Sequence, residues 1–178
     1  MIEILTPDEV EGVARTGAFV GRVLAELQAS VEPGLDLLEI DAQVDRWIGE
    51  AGAESCYRDY APSFGRGPFG HVICTSVNDA VLHGLPNAYR LRDGDLLTLD
   101  FAVSIDGWVA DAAVSFTVGT AAQPGAAALI SAPPQALAAG TAQAPPPNTT
   151  GATAPATRAV LPSAAYPATP PRCRHGPG

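Results

Sequence analysis

Residues 97–116, LTLDFAVSIDGWVADAAVSF, form two apolar runs joined by Asp106 and Gly107. Asp-Gly between two apolar runs is the strongest short-range signal for a β-hairpin with a two-residue loop. The sequence therefore predicts an antiparallel strand pair around which the rest of the chain must fold.

Two carboxylates, Asp100 and Asp111, interrupt these apolar runs. With a two-residue loop, Asp100 faces Ala113 and Asp111 faces Ala102, so the aspartates are diagonal neighbours on one face of the hairpin. Carboxylates held together repel unless a proton or a cation lies between them, which makes the pair a candidate site for one or two divalent metal ions. The alternative, that one or both side chains are exposed and solvated, is left open by the sequence.

A first helix is predicted from its capping residues. Thr6 and Glu9 form a capping box, Pro7 occupies the first helical position, and the Pro-Gly pair at residues 33–34 ends the helix. Its apolar face is predicted from residues at spacings of three, four or seven, which are Val10, Val13, Ala14, Gly17, Leu24 and Leu27.

A second helix is predicted from the box formed by Asp36 and Glu39, and it is expected to end near residues 51–53. Its apolar stripe consists of Ile40, Val44 and Ile48. Three β-branched, apolar runs follow and are expected to be strands, namely HVICTSV, LLTLDFAV and WVADAAVSFTV. Two helices followed by strands predict an α+β fold.

The composition changes sharply after the hairpin. All 19 acidic residues lie at or before Asp111, and from about Thr120 the chain is rich in Pro, Ala and Thr, without a usable apolar period. Such a segment buries too little apolar surface to offset the entropy lost on ordering. The sequence therefore predicts a folded part at residues 1–119 and a mostly disordered tail at residues 120–178.

Charge and hydrophobicity argue against several classes of protein. The net charge is −9, whereas nucleic-acid binding needs clustered Lys and Arg. No apolar run of about 18 residues, as a membrane span requires, is present, and the N-terminal residues do not resemble a secretory signal. The 3 cysteines are too few for a disulfide framework. We expect a cytoplasmic protein with free thiols that binds neither nucleic acid nor membrane.

Three segments taken together resemble a known family. HVICTSVNDAVLHGLP, LRDGDLLTLD and DGWVADAAVSF are similar to the first half of a type I methionine aminopeptidase, one of the pita-bread metallopeptidases. The similarity covers residues 1–119. It implies the first half of a pita-bread fold and the removal of N-terminal methionine from nascent proteins, whose N-terminal Met peptides would be the substrates.

The resemblance implies roles for individual residues. His83 matches a catalytic histidine that contacts the substrate and is not a metal ligand, and Asp100 and Asp111 match two metal-bridging aspartates. A pocket for the methionine side chain is implied at Cys74, Phe69, Tyr60 and Cys56. From the residues alone, a lone histidine such as His83 is more often a surface or satisfied core residue, and Cys74 is as typical of a small buried apolar residue as of a pocket.

The implied metal centre contains two divalent ions of Co, Mn or Fe, held by two Asp, two Glu and one His, and activates a water molecule for attack on the first peptide bond. No glutamate follows Glu54 in this sequence. The two glutamate ligands of the second half are therefore absent, and we expect partial metal occupancy at most. The ligand histidine of the second half matches His175.

The tail keeps several markers of the family's second half in order, which are ALI at 128–130, ALAAG at 136–140, P-x-N at 146–148, Tyr166 and HGPG at 175–178. One hypothesis is that the tail descends from, or is a corrupted version of, that second half. The alternative is a low-complexity tail in which the final HGPG is coincidental.

Two functional interpretations follow. The first is a methionine aminopeptidase that is impaired by the missing glutamates. The second is a non-catalytic pita-bread half-domain that acts at most in binding. A proline dipeptidase is disfavoured because Cys74 and the short N-terminal lead resemble the methionine enzymes.

Overall fold

A computed structural model describes residues 4–61, 67–120, 124–144 and 150–160. The chain divides into two compact units, Met1–Gln123 and Pro124–Gly178. The described helices and strands of the first unit are α1 (Pro7–Ser30), α2 (Leu37–Glu50), β1 (Glu54–Ser55), β2 (Cys74–Val77), β3 (Leu96–Ile105) and β4 (Trp108–Thr117). Those of the second unit are α3 (Ala126–Thr141) and α4 (Thr150–Val160).

Both predicted capping boxes are confirmed. The Thr6 backbone N–H donates to Glu9 Oε2 at 2.6 Å, and the Asp36 N–H donates to Glu39 Oε2 at 3.1 Å. The side chains of Thr6 and Asp36 accept backbone N–H groups from the first turn in return. Each box satisfies donors that the start of a helix would otherwise leave unpaired, which fixes where α1 and α2 begin.

The buried face of α1 differs from the prediction in its N-terminal half. Leu24 and Leu27 are buried as expected, whereas Val10, Ala14 and Gly17 are exposed. The observed buried face comprises Gly12, Thr16, Phe19, Val20, Val23, Leu24 and Leu27. The indole of Trp108 on β4 lies against Gly12, where an added Cβ would come within 2.5 Å of the ring. Contact with β4, rather than the local apolar spacing, therefore selects this face.

The sheet is organised around β3. Strands β1 and β2 pair with one edge of β3 and β4 pairs with the other, in each case antiparallel. Leu97, Leu99, Phe101 and Val103 of β3 are fully buried and form one core with the apolar residues of α1 and α2. The apolar stripe predicted for α2 (Ile40, Val44 and Ile48) is buried in this core. The α+β fold class is therefore confirmed.

The β3–β4 hairpin has the predicted register. Asp100 pairs with Ala113 and Ala102 pairs with Asp111. The two loop residues, Asp106 and Gly107, have φ of 53° and 83°, as a type I′ turn requires. The two aspartates are thus on the same face of the sheet, opposite to the face that contacts α1 and α2.

The expectation of a mostly disordered tail is not confirmed where the structure describes it. Residues 126–141 and 150–160 are helical, although α3 contains Pro133 and Pro134 and α4 contains Pro155. Alanine, which has the highest helix propensity, is frequent in both helices and counteracts these prolines. The small residue Gly140 lets α3 approach Thr157 of α4 closely. Residues 161–178, including Tyr166 and the HGPG segment, lie outside the described residues.

No helix in the described parts of the chain combines the length and the apolar character needed to cross a membrane.

A buried carboxylate, Asp95, fixes the chain at the start of β3. It is 5% exposed, and it accepts hydrogen bonds of 2.9 Å from Asn78 Nδ2, Tyr89 Oη and the Arg92 N–H. Burial on its own raises the pKa of Asp95, but these three hydrogen bonds outweigh it and hold the pKa below its usual value.

We expect Asp95→Asn to destabilise the first unit by about 1 to 3 kcal/mol at neutral pH. Because the pKa of Asp95 is lowered by folding, its stabilisation is complete above the pKa of an unfolded aspartate, about 3.9, and disappears as the pH falls through the folded value. Urea unfolding at pH 7 and at pH 2.5 should therefore show a smaller acid-induced loss in the variant. The exposed Asp59, changed to Asn, is the control, and equal acid-induced losses in Asp95→Asn and wild type would contradict the expectation.

Candidate functional site

The carboxylates of Asp100 and Asp111 converge on the hydroxyl of Tyr57. Tyr57 Oη donates a hydrogen bond to Asp100 Oδ1 at 2.8 Å and lies 3.4 Å from Asp111 Oδ1. Asp100 is half-buried on β3 and Asp111 is exposed on β4. The hairpin register places the two aspartates on one face, and Tyr57 marks the point at which their side chains meet.

Pairing of β1 with β3 positions Tyr57. Ser55 pairs with Val103, and the Cys56 N–H donates to the Ala102 carbonyl at 3.2 Å. The chain therefore leaves the edge of β3 next to Ala102, the residue that pairs with Asp111. The residue that follows, Tyr57, is placed to reach both carboxylates.

Sequence reasoning named Cys56 and Tyr60 but missed Tyr57. Strand β1 is only 2 residues long, too short to produce an alternating pattern. Its pairing with β3 is long-range, and Tyr57 is 43 residues from Asp100. No local signal in the sequence distinguishes Tyr57 from its neighbours.

Three of the four predicted pocket residues lie around the carboxylates. Cys74 is buried and pairs with Asp100 across β2 and β3, and Cys56 lies beside Ala102. The ring of Phe69 makes an edge contact with Tyr57, with ring centroids 6.0 Å apart.

Tyr60 differs from these three because its side chain is 62% exposed. Its described hydrogen bonds are made by the backbone, with Tyr57 and Phe69.

The groups around the two carboxylates are held in their neutral forms. Burial, the hydrogen bond to Asp100 and the charges of both aspartates raise the pKa of Tyr57 far above its ordinary value. Burial followed by the same two charges raises the pKa of the Cys74 thiol to about 12. Burial also raises the pKa of Cys56, with contributions from Asp111 and Glu54. At neutral pH the aspartates therefore face protonated thiols and a protonated phenol.

His83 lies in a loop that is hydrogen-bonded to strand β2. The Thr75 N–H donates to the Gly84 carbonyl at 2.8 Å, and the Gly84 N–H donates to Ser76 Oγ at 3.1 Å. His83 is exposed, with a left-handed φ of 54°. Its backbone thus runs beside Thr75, the neighbour of Cys74, while its ring makes no hydrogen bond within the described part of the chain.

The described residues do not by themselves fit a two-metal centre. Among them, no group of three or more His, Cys, Asp or Glu side chains could hold a metal ion. Two carboxylates that converge on one point supply part of a divalent-cation site, and the sequence contains no glutamate after Glu54. His175 lies outside the described residues, so the structure does not place it.

Comparison with known proteins gives a consistent result. The model of metallopeptidase family M24 matches residues 11–178 and therefore extends through the tail. The methionine aminopeptidase of Helicobacter pylori is 32% identical over 118 residues, which are 66% of this chain and 44% of that protein. Methionine aminopeptidase 1 of Mycobacterium tuberculosis is 38% identical over 113 residues, 62% of this chain and 40% of that protein. The chain thus spans less than half the length of these relatives.

Solved structures share the fold. Methionine aminopeptidase from Rickettsia prowazekii superimposes with a TM-score of 0.71 at 27% identity, over 79% of this chain and 54% of that chain. Methionine aminopeptidase from streptococci gives a TM-score of 0.81 at 24% identity, over 89% of this chain and 66% of that chain. Prolidase from Pyrococcus furiosus superimposes with a TM-score of 0.72 at 17% identity, over 88% of this chain and 43% of that chain. This similarity shows the fold alone.

These matches confirm the resemblance that the three sequence segments indicated, and with it the pita-bread fold. The family consists of metallopeptidases, whose chemistry depends on divalent metal ions. Since the family model covers nearly the whole sequence, the chain belongs to metallopeptidase family M24.

Proposed function

We propose that this chain carries the first-half portion of a methionine aminopeptidase active site and acts on the N-terminal methionine of nascent proteins in the cytoplasm. The observation that carries the proposal is the convergence of Asp100 and Asp111 on one point. The similarity to methionine aminopeptidases supports the choice of substrate. In this proposal the two aspartates are the metal ligands that lie among the described residues, and His175 is a further ligand.

The remaining residues have proposed roles in holding the peptide. His83 contacts the substrate near the bond to be cleaved, without binding metal. Cys74, Phe69, Cys56 and Tyr60 surround the methionine side chain. Protonated thiols and an aromatic edge suit an apolar thioether, because sulfur and aromatic groups make favourable contacts with methionine.

The metal would be Mn, Fe or Co, because carboxylate-rich ligand sets suit such ions without selecting one. We expect partial occupancy and slow turnover, since the described ligands fall short of a two-metal centre. The same shortage favours the second candidate function, a non-catalytic half-domain that binds at most one ion or a peptide.

A combined binding and cleavage experiment tests the proposal. Mn(II) binding to the purified chain would be followed by calorimetry, and release of methionine from a Met-Ala-Ser peptide would be measured with and without Mn(II). The double variant Asp100→Asn/Asp111→Asn removes the paired charges. Asp106→Asn is the matched control, because Asp106 lies on the same hairpin and asparagine tolerates its left-handed backbone.

We expect weak Mn(II) binding and slow, Mn(II)-dependent cleavage in the wild type and in Asp106→Asn, with both lost in the double variant. Binding without cleavage would support the half-domain instead. Cleavage that persists in the double variant would exclude the two aspartates as the centre of the activity.

A further inference from the structure

Three rings lie in a row beside the candidate pocket. The ring of Phe69 makes an edge contact with Tyr57 on one side and with His71 on the other, with ring centroids 6.0 Å apart in both pairs. The ring planes are inclined by 70° and 82°, close to the perpendicular arrangement that aromatic pairs favour. The position of the Phe69 ring therefore depends on where its two neighbours are fixed.

Asp41 of α2 fixes the imidazole of His71. An ionised carboxylate can only accept hydrogen bonds, so His71 Nδ1 donates to Asp41 Oδ2, at a distance of 2.7 Å. Asp41 Oδ1 accepts the Val72 N–H at 2.9 Å. The side chains of His71 and Asp41 are only 26% and 18% exposed, which limits competition from water. The helix thus orients the imidazole, and the imidazole contacts Phe69.

The backbone around Phe69 is held separately. The Phe69 N–H donates to the Tyr60 carbonyl at 2.9 Å, and the Gly70 N–H donates to the Arg58 carbonyl at 3.0 Å. Arg58 forms an ion pair with Asp45, one turn after Asp41 on α2. These contacts place the Phe69 backbone but do not set its side-chain torsions. The rings on either side set them.

We propose that His71 is a positioning residue, which holds the Phe69 ring against Tyr57 and thereby sets the width of the pocket for the N-terminal side chain of a peptide. This role rests on the proposed function only in taking Phe69 as a wall of that pocket. A fixed ring suits a slender, unbranched side chain such as methionine. A ring that is free to move aside would admit bulkier side chains.

The variant His71→Asn separates positioning from the structural link to α2. Asparagine keeps an N–H donor close to the position of Nδ1, so the hydrogen bond to Asp41 can persist, while the ring against Phe69 is lost. Arg22→Asn is the matched control, because it removes another polar side chain that packs on a phenylalanine ring, that of Phe19 at 5.2 Å. Protection of the Val72 amide from hydrogen exchange should persist in both variants and report that the contact with Asp41 is intact.

Tyr57 reports the position of the Phe69 ring without any ligand. In the full chain with 13C-labelled tyrosine, the Tyr57 resonance is identified by its absence from Tyr57→Phe. We expect this resonance to move in His71→Asn, because Phe69 shifts relative to Tyr57 once its other neighbour is removed. It should stay in place in Arg22→Asn. An unmoved Tyr57 resonance in His71→Asn would overturn the inference.

The selectivity for the N-terminal residue tests the width of the pocket. Dissociation constants of Met-Ala-Ser and Phe-Ala-Ser would be measured by NMR titration of the full chain. We expect His71→Asn to reduce the preference for Met-Ala-Ser by about two- to tenfold, the contribution of one aromatic edge pair. Arg22→Asn should keep the wild-type preference.

The outcomes separate the positioning role from the proposed function. Binding of Met-Ala-Ser with an unchanged preference in His71→Asn would overturn the inference and leave the methionine pocket of the proposed function intact. If the wild type bound neither peptide, that pocket would be excluded, and the proposed control of its width would fail with it.

Discussion

Replacing Phe101 with alanine is expected to destabilise the first unit by about 3 to 5 kcal/mol. Phe101 lies on the core face of β3 and is 0% exposed, with its ring 6.2 Å from that of Phe19 on α1. Alanine would leave a cavity between the sheet and α1 that surrounding side chains fill only in part. Because whole domains are stable by about 5 to 15 kcal/mol, this loss is large.

The unfolding of this unit can be followed without interference from the tail. The chain contains 2 tryptophans, Trp47 on α2 and Trp108 on β4, and both belong to the first unit. Urea unfolding monitored by their fluorescence should give the free energy for Phe101→Ala. Val109→Ala, at a position on β4 that is 55% exposed, should change it by less than about 0.5 kcal/mol. A loss below about 1 kcal/mol for Phe101→Ala would contradict the described core.

Replacing Gly84 with alanine is expected to cost about 3 kcal/mol and to displace the His83 loop. An added Cβ at Gly84 would overlap the carbonyl oxygen of Thr75, and it would lie 2.8 Å from the carbonyl carbon of Thr75 and 2.9 Å from Ser76 Cα. These are backbone atoms of β2, which cannot move aside as a flexible side chain does. The overlap must be relieved by moving the loop away from the strand, at the upper end of typical overpacking costs.

Hydrogen exchange reports on this movement at one amide. The Thr75 N–H donates to the Gly84 carbonyl, so its protection should decrease in Gly84→Ala while the amides at the centre of β3 stay protected. Gly17→Ala is the control, because nothing lies within 4 Å of a Cβ added at this exposed helical position. That change should be neutral or stabilising by up to about 1 kcal/mol. Full protection of Thr75 in Gly84→Ala would contradict the expected displacement of the loop from β2.

The local elements could be predicted because their causes lie within a few residues. The capping boxes at Thr6 and Asp36 depend on partners three positions away. The hairpin register depends on Asp106 and Gly107, whose left-handed backbone fixes the turn type. From these rules alone, the sequence placed Asp100 and Asp111 on one face.

Composition alone does not report helix formation in the described part of the tail. Prolines within α3 and α4 and the shortage of large apolar residues favoured disorder, but residues 126–141 and 150–160 are helical. Helix propensity and contact between α3 and α4, which composition does not report, outweigh the missing backbone donors of the prolines.

The sequence by itself determined where α1 and α2 begin, how β3 and β4 pair and which face of the sheet carries the carboxylates. The tertiary structure alone decided which side of α1 is buried, because that depends on Trp108 of β4. It also decided what lies between the carboxylates, because Tyr57 is 43 residues from Asp100 and 54 from Asp111. Capping and turn formation are governed by neighbouring backbone groups, whereas contacts between distant residues exist only after the sheet has closed around its core.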